Sequence, residues 1–225
     1  MKVEFNIEGV DYVLPEKMTI SQYQNIQSKQ DIMGVDKSLF ILSTLTGCNI
    51  SMLRRVKTEH AARLFKYADL LFREESTKFQ QTFEFQGKNY GFIPNLNEIS
   101  LGEYIDLDHF ITDGSIKNLH KIIAILYRPL KFGQKVLGTY KWDIEEYNTD
   151  DFEDRANLFK ELEVEKAFSA SSFFLHTGLH SIRVMKDSLM EEEMTMEMME
   201  KMNQLELLVK KMDLHLMNTG DGILS

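Results

Sequence analysis

The chain has 225 residues, 43% of them hydrophobic and 27% charged, with 26 Lys and Arg against 35 Asp and Glu for a formal net charge of -9. That composition excludes a low-complexity disordered chain and a membrane-embedded one, and the length holds one large domain or two small ones. The acidic balance argues against DNA or RNA as the main partner, because phosphate neutralisation needs a basic face, and the lone Cys48 cannot make an intramolecular disulfide, which points to a reducing compartment.

In chain order, Val3, Phe5 and Ile7 alternate with polar residues, Glu8-Gly9 makes a turn, and Val10, Tyr12 and Leu14 resume before Pro15, which predicts a β-hairpin. The same stretch carries acids where a secretory signal needs an apolar run, and no run approaches the ~18 apolar residues of a membrane span, so the expectation is a cytosolic chain without membrane contact. Thr19 is placed to cap a short helix with Ile20, Tyr23 and Ile26 at helical spacing, ending near Lys29. Asp36 to Thr46 puts Leu39, Ile41, Leu42 and Leu45 on one face, with Gly47 as the stop. From about Asn49 to Glu75, apolar residues from Leu53 to Phe72 recur mostly at spacings of three and four, a helical stretch broken near Thr58.

The pattern then restarts. Thr82 to Gly87 and Lys88 to Pro94 predict a second hairpin, with Gly87 and Tyr90 standing where Gly9 and Tyr12 stand in the first. A constant offset of 81 aligns Thr19 with Ser100, Tyr23 with Tyr104, and the run Ile41 to Leu45 with Ile122 to Leu126. After an insertion containing Pro129, Gly133, Gly138 and Trp142, Ala62-Arg63-Leu64-Phe65-Lys66 reappears as Ala156-Asn157-Leu158-Phe159-Lys160. The expected fold is α+β and mostly helical. A hairpin-and-helix repeat over 1–80 and a second over 81–165 pack as one body about a pseudo-twofold axis, followed by a helical extension over 166–225.

From Val164 onward nothing matches either repeat; Val164, Ala167, Phe168, Ser171, Phe174 and Leu175 continue a helical stripe suited to docking on the body. Eight of the 13 methionines fall in the last 36 residues, and between Ser188 and Met217 seven acids face three lysines. Here Met198, Met202, Leu205, Val209, Met212 and Leu216 are spaced 4, 3, 4, 3 and 4, the seam of a coiled coil or of an amphipathic helix. Methionine is flexible and polarisable and suits surfaces that adapt to their partners, so these six are the candidate partner-binding residues. They would meet another protein, the chain's own body, or a second copy in a homo-oligomer.

Chemistry has few footholds. His176 and His180 stand four apart, the spacing of two zinc ligands on a helix, but no glutamate lies between them and no third ligand is in view. Asp106, Asp108 and His109 crowd the helix after Ser100, where acids favour the dipole. Cys48 has no CxxC partner, and GxxxxGK(S/T), GxGxxG and GxSxG are all missing. No catalytic residue, cofactor or metal is therefore expected. Arg54, Arg55, Lys57 and Arg63 could form a basic patch; surface solvation is the default reading, and on an acidic chain this is the one place that could meet an anionic surface or another copy's acidic tail.

The runs FEFQGKNYGFIPNLNEISLGEYIDLDHF, NLHKIIAILYRPL and GTYKWDIEEYN, with Tyr104 to Leu107, Ile125 to Pro129 and Tyr140 to Tyr147 carrying the likeness, resemble a group of tailed-bacteriophage proteins that comprises tail-assembly chaperones and uncharacterised virion proteins. The resemblance covers Phe83 to Tyr147 and is compatible with the first 80 residues, while the Met-rich tail lies outside it. It implies a non-catalytic protein of the host cytoplasm that holds tape-measure or tail-tube components during virion assembly. The duplicated hairpin body is more ordered than such a holdase needs. That departure supports an alternative, a structural component of the particle at the portal, neck or tail or packaged within it; a second alternative is an enzyme whose site has no short motif.

Overall fold

The computed structural model describes residues 3–71, 78–96, 99–136 and 139–174. Strands β1 (Val3–Ile7) and β2 (Val10–Leu14) pair antiparallel through a two-residue turn in which Glu8 (φ 52°) and Gly9 (φ 84°) are both left-handed, the backbone that a tight hairpin matching strand twist requires. Helix α1 (Ile20–Gln27) begins with a reciprocal capping box: Gln22 N–H donates to Thr19 Oγ1 at 3.2 Å and Thr19 N–H to Gln22 Oε1 at 3.0 Å. Helix α2 (Gly34–Thr46) stops at Gly47, whose φ of 71° supplies the left-handed turn. The stretch expected as one interrupted helix is two, α3 (Ile50–Leu53) and α4 (Thr58–Leu70), separated at Arg54–Lys57.

The second half opens with the same chemistry. Strands β3 (Thr82–Phe85) and β4 (Lys88–Phe92) turn through Gln86 (φ 48°) and Gly87 (φ 74°), and α5 (Leu101–Thr112) carries a capping box between Ser100 and Glu103. Helix α6 (Leu119–Leu126) is apolar on every side and buried at every position except Lys121, as a central helix must be. The chain then passes without a loop into β5 (Tyr127–Val136). The described residues of the insertion form β5 and β6 (Thr139–Ile144), which extend the second hairpin into a four-stranded antiparallel sheet of order β3-β4-β5-β6. Pro129 is tolerated because it sits at one end of the short β4–β5 pairing. Among the described residues the first hairpin stays two-stranded.

Helix α7 (Phe152–Phe159) packs on α6, and a further helix, α8, occupies 164–174 and runs through the expected 165/166 boundary. Its Val164, Ala167 and Ala170 are buried in the common core, Phe168 meets Tyr23 edge-on at 4.9 Å, and Phe173 stacks on Phe79 at 4.0 Å. The described part of the stripe, Val164 to Phe174, therefore faces the body, and Leu175 lies outside the described residues. Ile20 and Ser21 N–H groups, which a helix start leaves unpaired, donate to Leu162 and Lys160 carbonyls at 2.9 and 2.8 Å, and Val164 N–H donates to Met18 O at 2.9 Å. This short backbone seam ties the first half to the end of the second.

A second tie runs between α1 and α6. Gln24 Nε2 lies 2.8 Å from Ile116 O, 2.7 Å from Lys117 O and 2.9 Å from His120 Nδ1, so the amide donates and the buried imidazole accepts in its neutral form. Burial, then the charges of Lys160 and Lys121, push the His120 pKa down to about 4, with Glu153 opposing. The unfolded imidazole takes its proton near 6.5 and the folded one only near 4, so the stabilisation by neutral His120 is complete above 6.5 and lost as pH falls between the two. The expected loss is ~2 kcal/mol, read by urea unfolding at about pH 7 and about pH 4.5. His120→Leu should flatten that difference; an unchanged slope would show that another group carries it.

Candidate functional site

Met198, Met202, Leu205, Val209, Met212 and Leu216, and with them His176 and His180, lie outside the described residues. Among the described residues no three His, Cys, Asp or Glu side chains converge in a group that could hold a metal ion, and no helix is long and apolar enough to cross a membrane. Cys48 is fully buried, its thiol directed at Asn49 O at 3.7 Å, which is a packing role. The basic patch is not a free cationic surface: Arg54 pairs with Asp36 at 2.8 Å, Arg55 with Glu8 at 2.7 Å and Arg63 with Glu59 at 3.3 Å. Each of these cations meets an acid on its own surface, in exposed pairs of small net strength. Asp106 accepts a hydrogen bond from the Tyr147 hydroxyl, and His109 packs its ring against Phe110; Asp108 is exposed.

The buried ionic centre lies between α5, β5 and α7. Glu103 accepts with Oε2 from Ser100 N–H at 2.8 Å and from Ser100 Oγ at 2.6 Å, and turns Oε1 toward Arg128 Nη2 at 2.9 Å, so one carboxylate caps α5 and neutralises a buried guanidinium. Arg155 donates from Nε to Ala124 O at 2.9 Å and Ile93 N–H to Leu126 O at 3.0 Å, which satisfies carbonyls that the end of α6 leaves open. Burial lowers the proton affinity of both arginines, and for Arg155 the charge of Arg128 adds to it. Burial first, then the bond to Asp106, raises the Tyr147 hydroxyl pKa. Glu103 Oε1, Arg128 Nε and Arg155 Nη2 have no hydrogen-bond partner among the described residues, so Glu103 and Arg128 meet as an ion pair without a well-aligned hydrogen bond. The arrangement clamps elements together and keeps its charges from solvent.

Among the described residues, two surfaces near this centre are exposed. Helix α5 buries Glu103, Leu107 and Ile111 on one face, whereas Leu101, Tyr104 and Ile105 on the neighbouring face are 74%, 45% and 55% exposed. This second stripe also recurs at three and four residues, so spacing alone could not separate it from the buried one; only the packing of α5 on Arg128 decides which face is inside. The other surface is a groove of about 730 Å³ over the β3 end of the sheet, where Glu84 and Glu145 stand among Lys88 and Lys131, with exposed Phe132 at its rim. A bulge between Leu130 and Phe132 tips Phe132 outward. Comparison with protein-family models, with curated proteins and with solved structures finds no match for this chain.

Proposed function

We propose that this chain is a non-catalytic bacteriophage tail-assembly chaperone that holds tail or tape-measure components in the host cytoplasm by apolar helix contacts. The observation that supports this reading is the exposed Leu101–Tyr104–Ile105 stripe on α5, a second apolar face on a helix whose first face is already buried. Tyr104 and Ile105 also belong to the run that resembles the phage group. The heptad from Met198 to Leu216 supplies a second adaptable seam by its sequence. No nucleic acid, membrane or cofactor enters this mechanism.

The competing reading is a structural component of the particle, favoured by the buried Glu103–Arg128 clamp and the backbone seam, which make a more rigid body than transient holding needs. Mass spectrometry of purified virions separates the two: the chaperone reading expects the chain in infected-cell lysate and not in the particle, and a stoichiometric virion signal would overturn it. Removing 188–225 is expected to abolish co-purification with tail proteins from infected cells, and Ile105→Asp to weaken it. Capture that survives both changes removes the helix-contact mechanism.

A further inference from the structure

We propose that the outer edge of β2 pairs antiparallel with β2 of a second copy of this chain, centred on Tyr12, so that two hairpins join into one four-stranded sheet. The inference stands apart from the chaperone reading. A two-residue turn makes the flanking residues Ile7 and Val10 a hydrogen-bonded pair, and every second pair beyond it, Phe5–Tyr12 and Val3–Leu14, is hydrogen-bonded as well. The N–H and C=O groups of Asp11 and Val13 therefore point away from β1, and no backbone hydrogen bond from a described residue reaches them. Val10 and Val13 are 47% and 42% exposed, two β-branched apolar residues on an open edge.

The second half of the same chain shows how such an edge is filled. Aligning the two turns at Gly9 and Gly87 puts Asp11 and Val13 in the places of Asn89 and Gly91. On that edge β5 runs antiparallel to β4, with Gly91 opposite Arg128. Among the described residues the first half supplies no such strand, and β2 is left bare.

Chemistry admits a second copy as the partner and selects the register. A twofold pairing needs outward-facing residues opposite outward-facing residues, which allows centres at Asp11, Tyr12 or Val13. A centre at Asp11 faces two carboxylates, and a centre at Val13 sets Asp11 against Pro15, which has no N–H to give. The centre at Tyr12 sets Asp11 opposite Val13 of the second copy, twice, with both backbone groups of each residue paired. The two Tyr12 rings, each stacked on its own Phe5 at 5.6 Å, then meet across the axis. Five residues a side make a small interface, so the dimer is weak, with dissociation expected at about 10–100 µM.

Sedimentation velocity of the full chain from about 1 to about 200 µM tests this, and a monomer–dimer equilibrium is expected. Val13→Asp faces Asp11 of the second copy and should weaken the dimer about tenfold, while Asp11→Lys/Val13→Asp should restore it. Independently, Tyr12→Cys/Cys48→Ala should oxidise to a covalent dimer, because facing residues of a non-hydrogen-bonded pair stand about 4.5 Å apart and the thiol that neighbours the Tyr12 side chain within the chain is removed. A monomer throughout that range overturns the proposal. A dimer indifferent to Val13→Asp that fails to cross-link through Tyr12→Cys/Cys48→Ala also overturns it and moves self-association to the C-terminal heptad.

Discussion

Glu103→Ala is expected to lower the unfolding free energy by ~3–5 kcal/mol, because it leaves the buried Arg128 guanidinium without its counter-charge. Glu103 stands at the third position of α5, where its carboxylate closes the capping box with Ser100, and the same group meets Arg128 at 2.9 Å. Loss of the cap contributes about 1 kcal/mol of the total, and the stranded charge the rest. Urea unfolding monitored by tryptophan fluorescence reads the effect, since Trp142 lies on the same side of the sheet as Arg128. The double change Glu103→Leu/Arg128→Met removes both charges together and should cost far less than Glu103→Ala alone. A single-variant loss below about 1 kcal/mol would falsify the assignment of this pair as the clamp between α5 and β5.

Gly91→Val is the second large effect, expected at ~3 kcal/mol or failure to fold, through overpacking rather than charge. A Cβ at Gly91 would stand 2.5 Å from Leu130 Cδ2, 2.8 Å from Trp142 Cδ1 and 2.9 Å from Ile144 Cγ2. The three side chains cannot simply retreat. Trp142 is anchored by its Nε1–H, which donates to Phe92 O at 2.7 Å, and Leu130 and Ile144 face one another across the β5–β6 ladder. Gly91→Ala should cost about 1–3 kcal/mol, and Leu130→Ala in the same chain should recover part of it. Gly102 is a control: nothing lies within 4 Å of a Cβ there and it sits inside α5, so Gly102→Ala should hold or raise stability by up to ~1 kcal/mol. Thermal melts of the three variants rank them; equal melting temperatures for Gly91→Ala and Gly102→Ala would contradict the close approach.

Both effects arise where β5 and β6 join the second hairpin, the part of the fold that residue pattern describes least well. Pro129, Gly133 and Gly138 read as punctuation of a loop, and taken locally they are. Pro129 and Gly133 become strand because β4 offers an open edge to Tyr127, Arg128 and Pro129, and because Tyr127 drops its ring among Phe83 and Phe92. Glu103 presents a similar case: its capping role can be read from the Ser-x-x-Glu spacing, but its ion pair lies 25 residues away on another element. Likewise Gln24 and His120 are ordinary residues of their own helices and meet only because α1 packs on α6.

The elements whose signals are local are legible in the amino-acid sequence alone: the Glu8-Gly9 and Gln86-Gly87 turns, the Thr19 and Ser100 caps, the Gly47 stop and the apolar Leu119–Leu126 helix each depend on residues within a few positions of one another. The recurrence of turn and cap in both halves is legible for the same reason. Tertiary structure alone decided that the second hairpin gains two strands while, among the described residues, the first keeps a bare edge, that α5 shows an apolar face to solvent, and that Arg54, Arg55 and Arg63 are paired. Those outcomes depend on which distant surfaces meet, and the periodicity of a stripe states that a face will be covered without stating by what.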